Sequence, residues 1–266
     1  MDVSDSARQL AAMCQWFAGY QHNKSNSRGI DAVERFLKSN GRSETIKILA
    51  ETSKRFDEYE ELVSSVEDGL LDEIDKSDAI EAARRVRKFL DFDTMMSTWS
   101  TYIAIAGDQA NLYAIRLPSG VLRQIRPCLV PSEKDVSDLS LALAEISEDD
   151  IQDARIPDLF RQAIRYGVEE LQLGVRYPLI YGLEKIPNKA AQLTAQLRMA
   201  AELNPAIKNT DMWGKCYRAL GLALTLWLGY QPLIESTKYN ISDIKYLVKE
   251  VDEIASGLIL DVKKSK

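Results

Sequence analysis

The sequence predicts an all-α fold in which many helices form two packed subdomains. Apolar residues recur mainly at three- and four-residue spacing, which places them along one face of a helix. Glycine and proline are sparse, with 13 and 8 occurrences in 266 residues, and sparse helix breakers favour long helices over sheets joined by tight turns. Hydrophobic residues make up 45% of the chain, enough for a substantial buried core.

The first part of the chain is predicted to contain four amphipathic helices. The first ends in the polar stretch 22–29, which we interpret as a loop. The second ends at Gly41, because glycine readily adopts the left-handed conformation that terminates a helix. The third and fourth helices begin near Ser43 and Ser77.

Residues 101–117 allow two interpretations. They could form a short β-hairpin that turns at Gly107, since apolar and polar residues partly alternate on either side. They could equally form short helices, because alanine is frequent and the alternation is imperfect. We favour helices, since the rest of the chain has the helical pattern.

Helices resume near Ser132, which forms a capping pattern with Asp135. The acidic stretch 148–157 is predicted to be a linker between an N-terminal helical domain, residues 1–147, and a C-terminal helical domain, residues 158–266. The four helical patterns of the second half begin near Asp158, Asn188, Asp211 and Ser242.

The chain has the features of a protein from a reducing compartment. It opens with acidic residues, where a secretory signal peptide would be basic. Its three cysteines, Cys14, Cys128 and Cys216, are odd in number and widely spaced, so we expect buried free thiols. The longest apolar run, residues 219–228, is shorter than the roughly 20 residues of a transmembrane helix, and we expect a buried core helix there.

The residue types of common catalytic sites are missing. His22 is the only histidine, no Cys-x-x-Cys pair occurs, and the glycines never form a phosphate-binding loop. Acidic pairs such as Asp72-Glu73 and Glu169-Glu170 could do acid–base chemistry, but such pairs are usually solvated surface. We therefore expect a binding protein with no catalytic residues, no metal site and no cofactor, and keep a carboxylate-only enzyme as the least supported hypothesis.

Charge is unevenly distributed along the chain. The net charge is −6, yet residues 61–150 carry 9 basic and 18 acidic side chains, whereas residues 151–218 carry 10 basic and 7 acidic ones. Opposed segments could pack head to tail between copies of the chain, or turn one face toward an anionic surface. Two ordinary solvated faces would give the same pattern.

The basic cluster 84–88 is the densest candidate site for anionic lipid or RNA. On a helix, three of its four basic residues share one face through three- and four-residue spacing. Many carboxylates flank the cluster, so an intramolecular salt-bridge network is an equal alternative. The basic residues of this cluster are Arg84, Arg85, Arg87 and Lys88.

Two further arginine groups are candidates for the same ligands. Arg116, Arg123 and Arg126 flank a Pro-Ser-Gly turn and have few acidic neighbours in the sequence. Arg161 and Arg165 are one turn apart, so they lie on one face of a helix.

Residues 115–126 also carry a family resemblance. They read Ile-Arg-Leu-Pro-Ser-Gly-Val-Leu-Arg-Gln-Ile-Arg, which resembles the apolar, Pro-Ser, Gly-Leu, arginine-rich stretch of influenza-type matrix proteins. With its size, its helical two-part organisation and its acidic opening, the chain is similar to an orthomyxovirus matrix protein of the Thogoto-type branch. The resemblance would also make residues 101–117 helical.

The resemblance implies a virion structural protein that forms a layer under the viral envelope and drives budding. Its partners would be itself, an anionic membrane surface and the viral ribonucleoprotein, with RNA as a further ligand. In the host cell it would occupy the cytoplasm, the inner face of the plasma membrane and the nucleus. The alternative hypothesis is a helical nucleoprotein or RNA-binding adaptor.

The segment Tyr177-Pro178-Leu179-Ile180 resembles the Tyr-Pro-x-Leu motif that recruits host budding machinery, with isoleucine in the last place. Short motifs of this kind often match by chance. A structural turn before the next helix is the alternative interpretation.

Overall fold

The computed structural model describes residues 2–20, 27–130 and 132–228. Over these residues it contains fourteen α-helices, three short 3-10 helices and two paired three-residue strands, β1 (Asp2–Ser4) and β2 (Cys128–Val130). The predicted all-α class is confirmed. Residues 22–26 of the polar stretch and the helical pattern near Ser242 lie outside the described residues.

The chain divides into two compact units. The N-terminal unit comprises Asp2–Leu129 with the short segment Leu179–Tyr181, and the C-terminal unit comprises Val130–Pro178 and the chain from Gly182 onward. The expected linker, 148–157, lies inside the C-terminal unit and contains a helix that packs against two others. The predicted boundary is therefore too late in the chain, because its acidic residues cap and pair with helices of one unit.

Eight helices make up the N-terminal unit as far as residue 125. They are α1 (Ser6–Ala18), α2 (Gly29–Leu37), α3 (Arg42–Ser64), α4 (Glu73–Arg87), α5 (Phe92–Met96), α6 (Trp99–Ala106), α7 (Gln109–Arg116) and α8 (Ser119–Ile125), with a 3-10 helix at Lys88–Leu90. Helix α1 contacts α3, α6, α7 and α8. Its apolar side therefore forms the centre of this unit.

Aromatic rings fill much of the N-terminal core. Phe17 of α1 lies 5.4 Å, centroid to centroid, from Phe89, which lies 5.2 Å from Tyr102. Trp99 stacks on Tyr102 at 4.8 Å. Phe17, Phe89 and Tyr102 are completely buried, and rings packed in this way contribute beyond the area that they remove from water.

Residues 101–117 are helical, so the β-hairpin interpretation is wrong. Tyr102 and Ala106 of α6, and Leu112 and Ile115 of α7, are buried at helical spacing. Gly107 separates the two helices where a side chain would not fit, since a Cβ atom there would lie 2.8 Å from the Cβ atom of Ala18.

Six helices lie between residues 133 and 228. Five belong to the C-terminal unit, and most of the short helix just before Gly182 belongs to the N-terminal unit. The six helices are α9 (Glu133–Ala144), α10 (Glu148–Ile151), α11 (Asp158–Arg176), α12 (Pro178–Tyr181), α13 (Ile186–Leu203) and α14 (Asp211–Leu228), with 3-10 helices at Leu183–Lys185 and Pro205–Asn209. Helices α9, α11, α13 and α14 surround a core that includes the buried Leu139, Ile164, Leu197 and Leu220. The apolar run 219–228 thus begins inside this core, as expected.

No helix in the described parts of the chain combines the length and the apolar character that crossing a membrane requires.

Asp5 connects the start of α1 to the start of α8. Its completely buried carboxylate accepts hydrogen bonds from the Arg8 backbone N–H at 2.9 Å and from the Ser119 hydroxyl at 2.7 Å. The Arg8 guanidinium lies 3.6 Å from the same carboxylate and donates to Ser119 Oγ at 3.0 Å. One acidic side chain therefore caps one helix and positions another that is more than a hundred residues away in the sequence.

Replacing Asp5 by alanine should lower the free energy of unfolding by roughly 2–4 kcal/mol, because a helix cap is lost and a buried hydroxyl loses its charged acceptor. Urea denaturation followed by circular dichroism measures the change. Asp108→Ala is the matched control, since Asp108 caps α7 through the Asn111 N–H at 3.0 Å but is exposed. That control should cost about 1 kcal/mol. Equal costs for the two variants would contradict the role given to Asp5.

Helix α10 is held in the C-terminal unit by Asp150. Ser147 and Asp150 form a reciprocal capping box, and Lys215 Nζ of α14 donates to both Asp150 carboxylate oxygens at 2.9 and 2.7 Å. Burial acts to raise the pKa of Asp150, but hydrogen bonds from Lys215 and Ser147 outweigh it and hold the pKa below its usual value. The ionised carboxylate therefore stabilises the folded chain.

The contribution of Asp150 should depend on pH. Because the pKa of Asp150 is lowered in the folded chain, its stabilisation is present above its unfolded pKa of about 3.9. This stabilisation is lost as pH falls through the folded pKa. Asp150→Asn should thus cost about 2 kcal/mol at neutral pH, and the difference from wild type should shrink below about pH 4. Urea denaturation across this pH range measures both. Asp149→Asn, at an exposed neighbour, should show neither effect, and a pH-independent cost at Asp150 would count against the argument.

Candidate anion-binding surface

The cluster 84–88 is largely engaged in ion pairs. Arg84 Nε donates to Glu60 Oε2 of α3 at 2.9 Å, and Arg85 pairs with Glu81 one turn earlier on α4 at 2.5 Å. Lys88, at the start of the 3-10 helix, is exposed and forms no ion pair with any described residue. This arrangement corresponds to the salt-bridge alternative for Arg84 and Arg85.

Arg87 has the most partners in this cluster. Its guanidinium forms a two-pronged pair with the Asp57 carboxylate, at 2.5 and 3.2 Å, and donates to the Ser53 hydroxyl at 2.7 Å. A phosphate group could bind Arg87 only by displacing these acceptors. The sequence correctly places Arg84, Arg85 and Arg87 on one helix, but Lys88 begins the 3-10 helix. Arg84 and Arg87 pair with carboxylates of α3.

The arginines of α11 are also paired. Arg161 lies 2.8 Å from the Asp158 carboxylate and donates to the Asp153 carbonyl oxygen at 3.3 Å. Arg165 forms two hydrogen bonds with the Glu148 carboxylate. Hydrogen bonds from Gln152 and Arg165 hold the pKa of Glu148 below its usual value, as expected for an engaged carboxylate. This second group connects α11 to α10 and the preceding turn.

Arg116, Arg123 and Arg126 differ from the other two groups. All three are exposed, and none forms an ion pair with any residue that the structure describes. Arg116 ends α7, Arg123 lies in α8, and Arg126 follows α8 directly. Their charges are therefore available to an external anion.

Exposed apolar side chains lie on the same two helices. Tyr113 is 71% exposed, Ile125 41% and Leu117 38%. We call the set of three arginines and three apolar residues on α7, on α8 and directly after each of these helices the basic surface; its members are Tyr113, Arg116, Leu117, Arg123, Ile125 and Arg126. Cations next to exposed apolar groups suit a ligand with both phosphate and apolar or aromatic parts.

The inner faces of α7 and α8 fix this surface. Leu112, Ile115 and Leu122 are buried, which orients the remaining side chains outward. The Tyr59 hydroxyl donates to the Ile115 carbonyl oxygen at 2.7 Å and so satisfies an acceptor near the end of α7. Burial raises the pKa of Tyr59, with a smaller contribution from the Asp5 charge, so this hydroxyl remains a donor.

Arg8 adds a cation that the sequence does not associate with this region. It contacts Ser119 at the start of α8, and its side chain is 58% exposed although it also lies near Asp5. Sequence separation hides this contact, since Arg8 and Ser119 are 111 residues apart. No local motif could have indicated it.

Residues 177–180 form a turn and the short helix α12. Tyr177 ends α11, and Pro178 begins α12. Tyr177 and Ile180 are buried, at 5% and 0% exposure. In this conformation the side chains at both ends of the segment are inaccessible to a peptide-binding partner, which favours the structural turn.

The three cysteines are buried thiols and form no disulfide bond with one another. Burial raises the pKa of Cys14, and it raises the pKa of Cys216 to about 12, so both remain protonated thiols at neutral pH. Among the residues that the structure describes, no group of three or more histidine, cysteine, aspartate or glutamate side chains could hold a metal ion.

Comparison of the chain with protein-family models, with curated proteins and with solved structures finds no match in any of the three.

Proposed function

We propose that this chain is a viral matrix-type structural protein that contacts an anionic membrane through the basic surface and assembles with copies of itself. Its place would be beneath the viral envelope, between the membrane and the ribonucleoprotein. The observation that carries the proposal is the set of three exposed arginines that form no ion pair with any described residue, interleaved with exposed apolar side chains.

Charge and apolar exposure would act together at a membrane. A basic side chain near an anionic bilayer contributes about 1 kcal/mol, so the three arginines would contribute about 3 kcal/mol, or roughly a 100-fold gain in affinity. Tyr113, Leu117 and Ile125 would enter the headgroup region, where amphipathic and apolar side chains are favoured. The other arginine groups would contribute less, since their anionic partners are already present within the protein.

The direct test is co-sedimentation with phosphatidylcholine vesicles that contain or lack phosphatidylserine. The Arg116→Gln, Arg123→Gln, Arg126→Gln variant should bind the anionic vesicles about 100-fold more weakly than wild type. Raising the salt concentration should weaken wild-type binding, because the interacting charges are exposed.

The matched control is the Arg84→Gln, Arg85→Gln, Lys88→Gln variant. It removes the same number of positive charges from the N-terminal unit but leaves the basic surface intact, so its vesicle binding should stay close to that of wild type. An equal loss in both variants would indicate a general charge effect. Unchanged binding in the first variant would rule out the basic surface as the membrane contact.

A nucleoprotein or RNA-binding adaptor is the second candidate, and Tyr113 is the observation that favours it. An exposed ring beside arginines can stack on an unpaired base while the guanidinium groups contact phosphates. On this alternative the chain would bind single-stranded RNA with a steep salt dependence, would not pellet with anionic vesicles, and would lose RNA affinity on Tyr113→Ala substitution.

A further inference from the structure

An apolar groove of about 500 Å³ opens on the N-terminal unit between α2, α3, α5 and the 3-10 helix Lys88–Leu90. Its lining is mainly aliphatic, aromatic and thioether side chains. Six large apolar residues of this lining are Ile46, Leu49, Leu90, Phe92, Met95 and Met96. None of them belongs to α7 or α8, so the groove and the basic surface are separate.

The margin of the groove exposes large apolar side chains. Phe92 is 76% exposed, Ile46 57% and Met96 39%. A contiguous apolar area of this kind is unfavourable in water unless something covers it. Methionine side chains adapt readily to the shape of a docked partner, which suits a surface of this composition.

The end of the groove at Phe92 is acidic. Asp91 and Asp93 flank Phe92, are exposed, and form no ion pair within the part of the chain that the structure describes. Lys88, two residues before Leu90, is an exposed cation in the same segment, and the two carboxylates outnumber it. A partner for this groove should therefore be apolar in its centre and positively charged beside it.

Arg42 is the one positively charged residue among the described residues that line the groove. Its guanidinium lies 2.6 Å from the Asp31 carboxylate and 3.1 Å from that of Glu34. Two carboxylates thus neutralise one arginine. The groove as a whole favours a cationic occupant.

We propose that the groove of one copy receives the basic surface of a second copy of this chain. Tyr113, Leu117 and Ile125 of the second copy would cover the apolar lining, and the arginines beside them would face Asp91 and Asp93. The basic surface has the complementary chemistry in both respects: within the part of the chain that the structure describes, its arginines form no ion pair and its apolar side chains are exposed.

The contact joins two different surfaces, so it is heterologous. After pairing, one copy keeps a free basic surface and the other keeps a free groove, and copies therefore add head to tail. The proposal rests on the proposed function only in its use of the basic surface. A second copy and an anionic membrane are alternative occupants of that surface, so a copy bound to the membrane keeps its groove free to receive one further copy.

Complementary variants test this contact by sedimentation velocity at low salt. Asp91→Lys with Asp93→Lys disables the groove, and Arg116→Gln with Arg123→Gln disables the basic surface. Wild type should form larger species as concentration rises, whereas each variant alone should self-associate at least about tenfold more weakly. An equimolar mixture of the two should form one-to-one dimers and nothing larger, because only one intact groove and one intact surface remain in each pair.

A Glu67→Lys, Asp78→Lys variant is the control for charge reversal. Both residues are exposed, neither forms an ion pair with a described residue, and the change in net charge is the same as in the groove variant. It should assemble like wild type. Urea midpoints close to that of wild type would exclude unfolding as the cause of lost assembly.

The outcomes separate this proposal from the proposed function. Wild type that stays monomeric at all concentrations, groove variants that assemble normally, or a mixture that forms no dimer would each overturn the docking of copies. The groove variant should still pellet with anionic vesicles, since its basic surface is intact. Mixed dimers without any vesicle binding would instead overturn membrane contact and leave the docking in place.

Discussion

The position of the basic surface depends on one buried carboxylate, that of Asp5. Removing a charge from water costs several kcal/mol unless hydrogen bonds and opposite charge compensate it. Here the Arg8 N–H, the Arg8 guanidinium and the Ser119 hydroxyl surround the carboxylate. The start of the chain and the start of α8 therefore form a single polar junction under an otherwise apolar layer, and the outer face of α8 has a fixed orientation.

Pairing within the protein distinguishes the arginine groups more sharply than their number does. Arg84, Arg87 and Arg165 already contact carboxylates, so an external anion would have to compete for them. Exposed pairs of this kind contribute little to stability, but they hold side chains in place and cancel the local potential. The positive potential around Arg116 and Arg123 is not cancelled in this way, because neither forms an ion pair with a carboxylate of the described helices.

Much of the fold follows from the sequence because helix periodicity is a local property. The apolar spacing predicts the start of α3 near Ser43, one residue from its observed start at Arg42, and the Ser132–Asp135 spacing indicates the cap of α9. The boundary at 148–157 was misplaced because acidity alone does not distinguish a linker from a capped helix. Which partner each carboxylate finds is decided by tertiary packing.

The candidate sites were only partly predictable for the same reason. The scarcity of acidic residues around Arg116 pointed toward a free cationic surface, and the carboxylates around Arg84 pointed toward a network. The groove could not be predicted, since Phe92 and Met96 are residue types common in protein cores and their exposure depends on how α5 packs against α2 and the 3-10 helix Lys88–Leu90. The contact of Arg8 with α8 leaves no trace in the local sequence.

The buried cysteines give each unit its own chemical reporter. Cys14 and Cys128 lie in the N-terminal unit and Cys216 in the C-terminal unit, all shielded from solvent. A thiol reagent can reach such a sulfur only during a transient opening of the surrounding helices. The rate at which each cysteine is modified therefore reports how often its own unit opens. A ligand that stabilises one unit against opening would slow the modification of the cysteines in that unit.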